Sequence, residues 1–181
     1  MRQHSVCRPS EGLSASISRV RDDLVAMSMA INAAETPADA ARRVIDGNSY
    51  LTLATADANG RPWATPVWFA ERELREFVWV SRVTTRHSGN IAERPEVALA
   101  VFDSTVAVGD GIAVYADATA ASVPDAELAD VLAVFNARSV ARGLRPWMEA
   151  DVTGDAPVRL YRARASQVWV LDEHERRVPV A

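Results

Sequence analysis

The sequence predicts a mainly β, α+β fold: an antiparallel β-barrel with flanking helices. Three observations predict it. Short runs rich in β-branched and aromatic residues recur between turn signals. One of those runs, W-A-T-P-V-W-F, holds a proline, which suits a sheet edge. Helical patterning is confined to the segment before Asn48, one short insertion and one stretch after Val123. Many short antiparallel strands in a chain of 181 residues protect their edges best by closing on themselves.

In chain order, Met1–Ser18 mixes Arg, Ser, Pro and Gly without an apolar stretch and is expected to be a disordered tail, with residues 19–181 forming the domain. Val20, Leu24, Met27 and Ile31 recur at helical spacing, so Ser18–Ala34 is expected to be a helix with one apolar face. Thr36 as N-cap, Pro37 in the first turn and Gly47 just past the end predict a second helix over Pro37–Asp46. Ser49–Ala56 alternates as a half-buried strand, Asp57–Gly60 makes a hairpin turn, and Trp63–Phe69 returns antiparallel with Pro66 at an edge or bulge. Ala70–Glu76 reads as a polar turn and Phe77–Ser81 as the third strand.

A short helix ends at Pro95. Glu96–Phe102 is the fourth strand, Asp103–Gly111 a loop and Ile112–Val123 a long fifth strand. Leu128, Val131, Leu132 and Phe135 give one apolar face to a helix running from Pro124 to Gly143. Residues 145–156 look irregular. Val158–Ala165 and Gln167–Leu171 are expected to be two strands joined at Ser166, followed by a charged tail.

Composition excludes several classes of function. A net charge of −4 gives no overall basic field, so neither nucleic acid nor an anionic membrane is an expected partner, and a small polar molecule fits better. Every one of the 20 Lys+Arg residues is arginine, which removes Schiff-base chemistry. One cysteine and three scattered histidines offer no metal site. No run is long enough for a membrane span, and the chain reads as cytoplasmic.

The chemistry concentrates in F-V-W-V-S-R-V-T-T-R-H-S-G-N-I-A-E-R-P, residues 77–95. A strand that hands over to a helix N-terminus aims backbone N–H groups at whatever sits there, and Ser81, Thr84, Thr85, Arg86 and His87 add side-chain donors. The same residue types also serve as ordinary caps and solvated side chains, and in isolation both readings stand.

The ordered set Y-L-T-L-A-T-A-D-A-N-G-R-P-W-A-T-P-V-W-F, F-V-W-V-S and T-T-R-H-S-G-N-I-A-E-R-P-E-V-A-L-A-V-F resembles the pyridoxamine 5′-phosphate oxidase-like superfamily of flavin-binding split β-barrels. The resemblance covers about Val44–Ala121. It implies that Thr65, Pro66, Val67 and Trp68 lie along the ring of an FMN cofactor. It implies that Val80, Ser81, Thr85, Arg86 and His87 take the phosphate, and that Asn90 stabilises the turn. It also implies a homodimer with the cofactor at the interface. Many members carry lysine where this chain has His87. If His87 donates as an imidazolium, FMN retention falls as pH rises from about 5.5 to 8. Among the tryptophans, Trp68 is expected at a ring face, Trp63, Trp79 and Trp147 in packing, and Trp169 in either role.

The expected function is an FMN-dependent oxidoreductase acting on a small organic molecule, with no assigned acid or base. Arg82, Asp103 and Ser104 are open between pocket and turn roles. The C-terminal V-W-V-L-D-E-H-E-R-R-V-P-V-A lacks the Arg-x-His arrangement of a pyridoxine phosphate oxidase, which disfavours vitamin B6 oxidation. Two alternatives stand beside it: a deazaflavin-dependent reductase, and a non-catalytic flavin- or haem-binding protein, whose axial ligand would come from His4, His87, His174 or Cys7.

Overall fold

The computed structural model describes residues 35–107, 111–172 and 174–180. The chain divides into Met1–Glu35 and Thr36–Ala181, and the second unit carries every element described here. The tail and first helix expected from the sequence lie outside the described residues.

Helix α1 spans Pro37–Gly47, with the Thr36 hydroxyl accepting the Asp39 N–H at 3.1 Å as an N-cap. Gly47 closes the helix as its last residue rather than following it. Strands β1 (Tyr50–Ala56) and β2 (Pro62–Trp68) form the first hairpin, whose turn is held by the Asp57 carboxylate accepting from the Asn59 and Arg61 N–H groups. β3 (Ala70–Arg72) and β4 (Glu76–Arg82) form a second hairpin.

The sequence reading missed β3 because Glu71 and Arg72 look like turn residues. The turn itself is Glu73–Leu74, with φ of 57° and 56°. Such a conformation costs a non-glycine residue roughly 1–2 kcal/mol. It is held by the Glu71 carboxylate accepting from the Leu74 N–H at 2.7 Å and by the burial of Leu74.

Helix α2 (Arg86–Glu93) leads to β5 (Glu96–Phe102), which the sequence placed with the same ends, and then β6 (Ala113–Ser122). One 3-10 turn, Asp125–Glu127, precedes α3 (Leu128–Ala141), and another, Glu149–Asp151, interrupts the stretch read as irregular. The two expected C-terminal strands are one strand, β7 (Val158–Leu171). Asp117 and Ala118 face Gln167 and Ala165, so Ser166 is the extra residue of a bulge, its hydroxyl donating to the Asp117 carbonyl at 3.1 Å. A serine between two β runs signals a bend, and a bulge bends a strand without ending it. The charged tail holds β8 (Arg177–Pro179), paired to β7.

The strands make one antiparallel sheet in the order β2-β1-β5-β6-β7-β4-β3, with β8 also on β7. It curls into a half-barrel with three flanking helices, the expected architecture. The inward residues Leu51, Leu53, Phe69, Phe77, Trp79, Leu99 and Val101 form one core, which α1 joins through Ala41, Val44 and Ile45 and α2 through Ile91. A second core on the outer face packs Leu128, Val131, Leu132 and Phe135 of α3 against Ala70, Val78 and Leu160.

Charged groups tie these layers together. Arg162 and Glu76, both buried, lie 3.7 Å apart, and Arg162 also reaches Glu127 at 2.7 Å. Arg72 bridges Glu76 and Asp130 of α3, each at 2.9 Å. Arg138 of α3 donates through Nη2 to the Ile45 and Asn48 carbonyls at 2.8 and 2.6 Å, closing the C-terminal end of α1.

Candidate functional site

The half-barrel is split along one seam. Among the described residues β2 is bridged only by β1, and β4 beyond Val78 only by β7. The curl of the sheet brings these two free edges close. Pro66 lies in the free-edged β2, as a residue without an N–H requires.

The first turn of α2 spans the seam. On one side the Arg86 guanidinium lies 4.7 Å above the Trp63 ring of β2, and its Nη2 is 3.9 Å from Asp57 Oδ2. On the other side His87 Nε2 sits 2.8 Å from Ser81 Oγ of β4 and 3.1 Å from Thr85 Oγ1. Ser88 and Thr85 both donate to the Arg82 carbonyl, at 2.9 and 3.0 Å. With those two protons committed, the consistent arrangement has His87 carrying its proton on Nε2 and donating it to Ser81 and Thr85. The Ser81 hydroxyl then keeps its own proton for another acceptor.

Thr85 is the N-cap of α2, but its side chain makes no cap hydrogen bond. The first N–H groups of the helix therefore have no side-chain acceptor, in contrast to α1, where Thr36 supplies one. Asn90 sits one turn later and donates to the Thr55 hydroxyl of β1 at 2.9 Å. Together with buried Ile91 it fixes the helix on the sheet.

Of the expected cofactor residues, the structure gathers Ser81, Thr85, Arg86 and His87 at the end of the seam. Asn90 supports them from behind. Thr65, Pro66, Val67 and Trp68 form one lip and Val80 the other, on different faces. Val67 points into the inner core, while Val80 and Trp68 pack on the outer core. Trp68 meets Phe135 of α3 edge to face, at 4.6 Å and 86°. Trp79 and Trp147 are in packing, as expected, Trp79 stacked on Tyr161 at 5.9 Å. Trp63, also expected in packing, instead stands 40% exposed beneath Arg86. Residues Arg61–Ala64 are all exposed at this end of β2.

The imidazolium expectation for His87 is corrected. The residue is 7% exposed, and burial lowers its pKa below the usual imidazole range. Neutral at pH 7, it orients hydroxyls. Because the folded pKa lies below the unfolded one, the unfolded chain takes up a proton first, so stability falls as pH drops through about 6.5. Urea unfolding between pH 7.5 and 5 is expected to show this loss, and His87→Gln is expected to remove that component. An unchanged pH slope in His87→Gln would assign it to other groups.

Asp57 is held below the usual carboxylate range, chiefly by the Arg61 backbone N–H, and so stays charged beside Arg86. Among the described residues no group of three His, Cys, Asp or Glu could hold a metal ion, and no helix is long and apolar enough to cross a membrane.

The fold is a split half-barrel with a helix N-terminus set across its seam. The pyridoxamine 5′-phosphate oxidase family model matches residues 37–172, and the chain belongs to that family. No curated protein matches the sequence.

Among solved structures, the chain is similar to a heme binding protein from Mycobacterium smegmatis at 19% identity and TM-score 0.64, covering 81% of this chain and 58% of that one. It therefore spans little more than half of that protein. The Vibrio cholerae heme storage protein HutZ matches at 25% identity and TM-score 0.56, covering 71% of this chain and 90% of that one. An F420 reductase matches at 18% identity and TM-score 0.51, covering 71% and 94%.

Proposed function

We propose that the chain is an FMN-binding oxidoreductase, with the FMN phosphate at the first turn of α2 and the ring along the seam. The observation that carries this reading is the uncapped N-terminus of α2, flanked by Ser81 and Arg86. The donor set suits a dianionic phosphate: unfilled backbone N–H groups, one hydroxyl with a free proton and a guanidinium already desolvated on one face by Trp63. Thr65, Pro66, Val67 and Val80 would border the ring, with the free backbone edges of β2 and β4 offering it hydrogen bonds. FMN would supply the hydride chemistry, and the chain would bind it, orient it and exclude water.

A homodimer belongs to the same reading, with a second copy covering the seam. It is supported by the outward face, which shows Tyr50 at 60% and Phe102 at 53% exposure beside the small side chains Thr52, Ala54, Ala98 and Ala100. The same solution is expected to be cytoplasmic in its chemistry: a small-molecule reaction with no membrane or nucleic-acid partner.

Haem is the second reading, since two similar structures are named for it. Two of its four candidate axial ligands do not favour it, since His87 commits its Nε2 to two hydroxyls and His174 lies exposed in the tail, while His4 and Cys7 lie outside the described residues. A deazaflavin coenzyme is the third, on the likeness to the F420 reductase.

Titration with FMN, a deazaflavin coenzyme and haemin, followed by absorbance with multi-angle light scattering, tests all three. Tight, stoichiometric FMN binding by a dimer is the expected result. A haem spectrum with an axial-ligand signature and no FMN uptake would overturn the proposal. A monomer holding FMN would remove the interface from it.

A further inference from the structure

A cavity of about 640 Å³ opens beside the seam, between the ends of β4, β6 and β7, the start of α3 and the 149–157 loop. Its wall is mixed: Val83, Val123, Leu128, Val152 and Leu160 are apolar, Ser122, Thr153 and Tyr161 bring hydroxyls, and the charged groups among the described lining residues are Arg159 and Asp125. Arg159 is the cross-strand partner of Ser81, so their side chains share a face of the sheet, and Val83 lies two residues beyond Ser81. The cavity thus adjoins the hydroxyl cluster at the end of the seam.

Arg159 is only partly exposed, and its guanidinium donates to three carbonyls, Ala156 at 2.6 Å, Val158 at 2.8 Å and Gly154 at 2.5 Å. Among the described residues no carboxylate pairs with it, whereas Arg72, Arg138, Arg145, Arg162, Arg164 and Arg176 each have one. The carbonyls fix the fork without neutralising its charge, and two of its five N–H groups remain unassigned. Asp125 lies on the cavity rim, exposed and not paired with Arg159. A fixed guanidinium without a carboxylate partner, set in a cavity that also offers apolar side chains, suits an organic anion: Val83, Val123, Leu128 and Leu160 meet the body, and the guanidinium takes the head.

We propose that this cavity binds the substrate, and that the substrate is an organic carboxylate whose acid group is fixed by Arg159. The assignment as substrate rests on the seam being the flavin site; the binding itself does not. The test uses calorimetric titration of the full chain, without cofactor, with 2-naphthoate and with its neutral analogue 2-naphthalenemethanol.

Naphthoate is expected to bind roughly tenfold or more tightly than the alcohol, the factor one charge-assisted hydrogen bond confers. Arg159→Gln is expected to erase that preference while leaving the alcohol unchanged. Because Arg159 also holds the 154–158 backbone, a second variant, Ser122→Trp, fills the cavity from its exposed rim and is expected to weaken both ligands while sparing FMN. Equal affinity for the two probes in the unmodified chain, a preference that survives in Arg159→Gln, or naphthoate binding untouched by Ser122→Trp would each overturn the proposal. FMN titration in parallel keeps the two readings apart: loss of FMN binding alone sinks the flavin site and leaves the anion pocket standing.

Discussion

Arg86→Ala is expected to weaken FMN roughly 10- to 150-fold, the factor that corresponds to a charge-assisted hydrogen bond of about 1.5–3 kcal/mol. Riboflavin, which lacks the phosphate, is expected to bind equally well to both forms. The structure explains why the effect should be large for an exposed side chain. Trp63 holds the guanidinium at 4.7 Å and Asp57 restrains one nitrogen, so little side-chain freedom is left to lose on binding. Trp63→Ala should then weaken FMN in the same direction by releasing Arg86. Equal losses for FMN and riboflavin in Arg86→Ala would show damage to the ring site or the fold rather than a lost phosphate contact.

The second large effect concerns stability. Arg138→Met is expected to cost about 2–4 kcal/mol, because it removes two hydrogen bonds from one guanidinium to the carbonyls that end α1 while keeping the apolar stem. The group is mostly buried and stacked 4.9 Å from the Phe69 ring; its Nε has no partner among the described residues and its Nη1 is 3.8 Å from the exposed Asp46 carboxylate, so its hydrogen bonds come through Nη2. The midpoint of thermal unfolding should fall by roughly 5–15 °C. Arg142→Ala, which removes one exposed hydrogen bond to the Asp46 carbonyl, is the control and should shift it far less. If the two variants melt together, Arg138 is not what joins α1 to α3.

Local patterning carried most of the fold. β5 was legible to the residue because E-V-A-L-A-V-F alternates without interruption, and the α1 cap was legible because Thr36 and Pro37 have one common use. Non-local interactions carried what was missed. β3 is three residues long and polar, and it is a strand only because β4 lies beside it. Ser166 looks like a turn until β6 and the Asp117 carbonyl hold it as a bulge.

At the site, the residue types that could hold a phosphate were evident from the sequence, but their division of labour was not. Burial decides that His87 serves Ser81 and Thr85, and only the meeting of β2 with α2 brings Trp63 under Arg86. Arg159 gave no sequence signal at all, since its place opposite Ser81 depends on the pairing of two strands 78 residues apart in register, Ser81 with Arg159.

The seam has a consequence for how the chain behaves before anything occupies it. Free edges invite a foreign strand, and a chain newly released from synthesis would present two of them at once. Pro62 and Pro66 blunt the β2 edge, since neither can donate to an added strand, and α2 stands across the end of the β4 edge. The prolines therefore act as gatekeepers against polymerisation, and replacing Pro66 with valine would trade a guarded edge for a sticky one during folding.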